Sequence, residues 1–167
     1  MPTPRRGTAA ELELLTQLVR ESYDRPAWHG PNLRAALRGV DAALACRRPP
    51  GEAHSIWDLT LHAAFWQHVV TRRLTGDAAR FPRPGHDWPR APASPEEASD
   101  AAWQADLKLL GATHARLLEA LAGLRPRALH EPRGPRRQTP AVMLRGIACH
   151  NLYHAGQIRL LRRLARG

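Results

Sequence analysis

Residues 139–163 read TPAVMLRGIACHNLYHAGQIRLLRR. Thr139 followed by Pro140 marks a helix start. The hydroxyl can cap free amides, and proline suits a first turn where its missing N–H costs nothing. From there Met143, Ile147, Ile158 and Leu161 recur at helical spacing. Arg159, Arg162, Arg163 and Arg166 crowd the far end, where the helix dipole favours cations. The helix expected here runs from Thr139 to about Ala165. His150 and His154 stand in line with the apolar residues, so both replace core positions. Their four-residue spacing puts the two rings about 6 Å apart on one face.

The rest of the chain also reads as helix. Val, Ile and Thr are sparse while Ala and Leu dominate, and no run has strand character. A first helix is expected over Thr8–Tyr23, with Thr8 as N-cap and Glu11 three residues on. Pro26, Gly30 and Pro31 then break that arm near residues 26–31, and Leu33, Ala36, Leu37 and Val40 resume it. A second helix starts at Ser55, with Asp58 at the capping-box position, and stops at Gly76. A third is expected from Ser94, with Pro95 in its first turn beside Glu96 and Glu97, ending near Gly123. Residues 77–93 hold Pro82, Pro84, Pro89 and Pro92. That connection is long enough to let helices two and three run parallel. The expectation is an all-α four-helix bundle with a long crossover between helices 2 and 3, formed by one domain over residues 1–167.

Composition narrows the function classes. The formal net charge is +10, and all basic residues but Lys108 are arginine. The arginines are scattered, and the densest run, RPRALHEPRGPRR at 125–137, lacks interleaved aromatics. Single-strand binding needs stacking platforms, so nucleic acid is not the expected partner. No hydrophobic leader and no span of about 20 apolar residues is visible. With two cysteines, 46 and 149, the reading is a cytoplasmic chain with reduced thiols and no membrane partner.

The histidines carry the chemistry. Nine are present, so an HxxxH pair by itself is a weak motif. Core placement says more, because two buried imidazoles must each find partners. On the second helix Leu59, His62, Ala63, Trp66, Val70 and Leu74 form the apolar side, while His68 falls round the helix and is expected to face outward. His62, His150 and His154 are either core histidines satisfied by hydrogen bonds or a three-nitrogen metal site. Three protein ligands with open positions describe a catalytic rather than a structural centre.

SIWDLTLHAAFW at 55–66 and the HNLYHAGQI block at 150–158 also resemble the DinB/YfiT-like superfamily of bacterial four-helix proteins, which is distinct from the polymerase of similar name. The resemblance extends over roughly residues 11–164, and the WHGP at 28–31 and DWP at 87–89 fit a subgroup. It implies an up-down-down-up bundle and a divalent zinc or nickel ion held by His62, His150 and His154. It also implies dimers, and in some relatives thiol transfer or isomerisation with bacillithiol or mycothiol.

Such a centre offers two enzyme readings: hydrolysis, or transfer of a low-molecular-weight thiol cofactor to a small-molecule substrate. The alternatives are a non-enzymatic, stress-linked metal-binding or interaction protein, and a basic nucleic-acid-binding module. Around the three ligands, Gln157 either orients a ligand or is a solvated amide. Trp66 either walls the pocket or fills the core, and His29 is either a pocket residue or an ordinary turn residue. Tyr153 and Gly156 are expected to pack against neighbours. Asp58 is expected to serve Ser55, which leaves the catalytic base unassigned on the two histidine stripes.

Overall fold

Capping side chains decide where each helix begins. In the computed structural model, which describes residues 7–94, 96–133 and 137–165, the Thr8 hydroxyl accepts from the Glu11 amide and α1 runs Ala9–Tyr23. Asn32 then does two jobs. Its carbonyl accepts from the Ala35 amide to start α2 (Leu33–Leu37), and its amide donates to the Arg25 carbonyl across the break. Gly39, at φ 71°, turns the chain, and Asp41 caps α3 (Ala42–Cys46). The first arm is therefore broken twice, once near residues 26–31 and again at Gly39.

α4 (Ile56–Thr75) has a complete capping box between Ser55 and Asp58, and Gly76 closes it at φ 80°. α6 (Pro140–Leu164) starts on Thr139 with Pro140 in its first turn. The third long helix departs from the sequence expectation. α5 runs Asp100–Ala122 and is capped by Ser99. Ser94 begins only a turn, closed by the Glu97 amide on the Ser94 carbonyl. The Glu97 carboxylate takes the Ala93 amide instead of serving a helix N-terminus. Pro95, and Arg166 at the far end of α6, lie outside the described residues. Residues Pro126–His130 form a 3₁₀ turn that buries Leu129. Among the described residues the molecule is all-helical, with no strand and one isolated bridge between Arg133 and Gln138.

α4 packs against α5 and α6, α1 against α6, and the short α2 and α3 fill in against α6 and α4. The buried side chains divide into two apolar halves. One gathers Trp57, Leu61, Trp103, Leu110, Ile158 and Leu161. The other gathers Val19, Val70, Leu117, Leu121, Leu144 and Ile147. Between them along each long helix stand buried polar residues. Asn151 accepts from Gln67 Nε2 at 3.3 Å and donates to Ser22 Oγ at 3.1 Å, tying α4, α6 and α1 together. Burying such amides is tolerable only when they are paired.

The connection after α4 travels along the side of the molecule. Arg83 Nε donates to Asp106 Oδ1 at 2.8 Å, Arg48 to the Ala93 carbonyl, and Phe81 meets Phe65 edge-on. This covering corrects the reading of His68. It is buried, with Nε2 donating to the Ala79 carbonyl at 3.1 Å. Its angle on α4 is as the pattern gives it, but the loop covers that side. Gly156 is also corrected, since it is exposed and nothing lies close enough to exploit its missing side chain.

Candidate metal centre

Three rings from two helices converge. His62 comes from α4, and His150 and His154 come from successive turns of α6. His150 Nε2 lies 3.1 Å from His62 Nε2 and 3.0 Å from His154 Nε2. The three ring centroids are 5.0, 5.0 and 4.3 Å apart. Among the described residues these side chains form a group able to hold a metal ion. His62 and His154 are buried, and His150 is half-buried.

The protons show what the cluster is built for. His62 Nδ1 sits 2.7 Å from the Asp87 carbonyl and His154 Nδ1 2.6 Å from Gln157 Oε1. Both oxygens only accept, so each Nδ1 carries the proton and each Nε2 turns a bare lone pair inward. A single proton on His150 Nε2 cannot serve two lone pairs well, so the neutral cluster is short of a positive centre. A divalent ion accepts all three pairs at once. Two nitrogens at the usual zinc distance in a tetrahedron stand about 3.3 Å apart, close to the observed separations. The residues fit a small divalent cation.

Burial keeps the rings in the ligating form. It pushes His62 below the ordinary imidazole value, against the opposing pull of Asp87. His150 is lowered to about 3 by burial and then by its two neighbouring rings. His154 is lowered to about 4 by burial, with Gln157 acting in the other direction. All three are neutral at pH 7, as metal ligands must be.

The model of the DinB superfamily matches residues 25–158, most of the chain and all three histidines. This chain belongs to the DinB superfamily. Comparison with curated proteins and with solved structures found no match.

The surroundings of this DinB-superfamily site come largely from the loop after α4. Trp88 stacks on His62 at 3.9 Å and on His54 at 3.7 Å, lying between them. Asp87 holds two things together. Its backbone carbonyl orients His62, while its carboxylate accepts the Trp66 indole N–H at 2.7 Å and lies 3.5 Å from His62 Nδ1. It does this at φ 63°, a left-handed conformation that Asp tolerates better than most residues. Trp66 also meets His62 and His150 edge-on. Gln157 bridges the site and its rim, accepting from His154 and donating to Tyr153 Oη at 3.3 Å.

Tyr153 is therefore not a packing residue. It is 64 % exposed, beside the His154 ring at 5.1 Å. His29 stays apart from the group. It lies exposed in the break, next to a fully exposed Trp28, because Asn32 ties the ends of that break and leaves its middle to solvent. Asp58 serves Ser55 and also meets Arg48 at 2.8 Å. Sequence reading missed His54, Asp87 and Trp88 as neighbours of the site. The signal available was DWP itself, an acid and an aromatic in a proline-fixed turn.

Asp87→Ala keeps the carbonyl that orients His62 but removes the Trp66 acceptor and puts alanine at φ 63°, so it is expected to weaken divalent-ion affinity by up to about tenfold, through displacement of that carbonyl. Asp87→Asn keeps an acceptor for Trp66 and tolerates the backbone, so it should stay within a few-fold of the parent. Competition titration against a chelating dye measures both. Equal affinity for Asp87→Ala and the parent would show that the carboxylate is not what holds that carbonyl against His62.

Proposed function

We propose that this protein is a metal-dependent enzyme in which His62, His150 and His154 hold one zinc or nickel ion. The reaction is hydrolysis of a small molecule, or transfer of a low-molecular-weight thiol such as bacillithiol or mycothiol to an electrophile. The observation that carries this proposal is the convergence of three neutral Nε2 atoms whose opposite nitrogens, in His62 and His154, are fixed by oxygen acceptors. An ion bound there lowers the pKa of a water or thiol it coordinates, giving a nucleophile at neutral pH.

The chain's own groups supply the rest. Asp87 and Gln157 keep two rings pointed inward. Trp88 covers the His62 face and limits water on that side. Tyr153 Oη accepts from Gln157 Nε2, which leaves its own proton free to be given to a substrate oxygen at the exposed rim. Tyr153 therefore stands as the proton donor, while neither helix stripe provides a base.

We further place the four long helices in an up-down-down-up bundle, and the protein in the cytoplasm as a homodimer. The pairing of α4 with α5 and of α1 with α6 is what such a bundle requires, no helix among the described residues is long and apolar enough to cross a membrane, and the homodimer rests on the DinB resemblance alone.

A panel of low-molecular-weight thiols with a chromogenic electrophile, run beside a panel of activated esters and amides, tests the activity. Turnover should appear only with a divalent ion present and vanish in His150→Ala. Metal bound tightly with no turnover on either panel would favour the non-enzymatic metal-binding reading. The basic run at 125–137 gives little support to nucleic-acid binding. Its described part is folded against the core through Leu129, with Arg133 donating to the Leu74 carbonyl.

A further inference from the structure

A second cleft lies between the broken first arm and α5, and it shares no lining residue with the three histidines. Its volume is about 1210 Å³, large enough for a small organic molecule. Pro26, Leu37, Val40, Leu107, Leu110 and Leu118 give it apolar walls.

Four independent features at this place call for a ligand. His114 also lines the cleft, yet it is only 3 % exposed and neither ring nitrogen has a hydrogen-bond partner among the described residues. A neutral imidazole needs one donor and one acceptor partner, and buried polar groups are rarely left without them. Tyr23 stacks on that ring at 3.9 Å, and its hydroxyl has no hydrogen-bond partner among the described residues. Gly111 stands in the middle of α5, where glycine weakens a helix. A Cβ there would lie 3.6 Å from the Tyr23 hydroxyl, so its absence widens the space beside that group. Finally, the cleft is lined by Arg34, Arg38 and Lys108 against one acid, Asp24, which lies 3.7 Å from Arg34.

We infer that this cleft is a binding site for an amphipathic organic anion, an aromatic or aliphatic carboxylate. Its apolar body lies along the leucine-lined wall, and its carboxylate accepts from the Tyr23 hydroxyl beside Arg34, with Arg38 and Lys108 lining the same cleft. The nitrogens of His114 are covered in the ligand-free chain, so a ligand that reaches them tilts the Tyr23 ring aside. Stacking is what holds that ring over His114, because its hydroxyl is unpaired.

The test uses 2-naphthoate as probe and 2-naphthalenemethanol as its neutral counterpart, on the full chain after dialysis against chelator. Titration calorimetry should give saturable one-site binding of naphthoate, with the alcohol about tenfold weaker or more, the worth of roughly one charged contact. Gly111→Leu, which fills the floor with a good helix former, should abolish binding. The exposed double variant Arg38→Glu/Lys108→Glu should weaken it about tenfold or more, while His62→Ala leaves it unchanged. In proton–carbon spectra the His114 ring signals should shift on binding. No saturable binding, equal affinity for the alcohol, indifference to Gly111→Leu, or loss of binding in His62→Ala would each overturn the assignment. The last of these would move the probe to the metal centre. None of these outcomes bears on whether the three histidines bind an ion.

Discussion

Prepared without an affinity tag and given zinc or nickel, the protein is expected to bind one divalent ion per chain, and His62→Ala and His150→Ala should each lose it. The reason lies in how the cluster is arranged. The His62 and His154 lone pairs already face one point and His150 has only to carry its proton on Nδ1, so binding requires little reorganisation, and burial already keeps His150 and His154 neutral at pH 7. Removing a ligand must cost more than removing a group that orients one, so a loss beyond about a hundredfold in affinity is expected. The second readout is stability. A ligand at about a thousand times its Kd stabilises the folded chain by about 4 kcal/mol. In a chain of this length that raises Tm by roughly 8–16 °C. Chelator should reverse the shift, and neither alanine variant should show it. If the parent chain takes up no ion and its melting is indifferent to zinc and nickel, the metal centre and the proposed chemistry fall together.

Asp106→Ala should be among the most damaging single substitutions away from the site. Asp106 is 4 % exposed and engages two partners on opposite oxygens. Trp57 Nε1 donates to Oδ2 at 2.8 Å, and the Arg83 guanidinium donates to Oδ1. One carboxylate thus joins α4, α5 and the loop that carries Asp87 and Trp88. Alanine leaves a fully buried indole N–H without a partner and frees the arginine that pins the loop. Leaving a buried donor unpaired in this way costs about 1–3 kcal/mol, or roughly 2–12 °C in Tm. Asp106→Asn retains an acceptor for Trp57 and should fall between the parent and alanine. Urea unfolding of the three proteins measures the differences. A change under about 0.5 kcal/mol for Asp106→Ala, the level of an ordinary surface substitution, would show that the loop is held by other contacts. The damage should also reach the metal centre, because His62 is oriented by that loop.

Much of this was legible in the residues. Caps at Thr8, Ser55 and Thr139 and stops at Gly76 and Gly123 depend on atoms within four positions of each other, so a short window contains them. The start of α5 misled because Ser94 and Ser99 both offer cap chemistry. The choice between them depends on contacts beyond the window, among them the Asp100 carboxylate accepting the Ala42 amide. The histidine stripes were legible for the same local reason: 3.6 residues per turn fixes which side chains share a face.

What the sequence by itself determined is therefore the helices, most of their ends, and the inward placement of His62, His150 and His154. Tertiary structure alone decided what surrounds them. The loop after α4 closes over that helix, burying His68 and bringing Asp87 and Trp88 to His62. The break at 26–31 leaves His29 in solvent, and α5 meets the first arm around an unpartnered His114. Helical periodicity states an angle about one axis. Which neighbour covers that angle depends on contacts between residues tens of positions apart, and no local spacing encodes them.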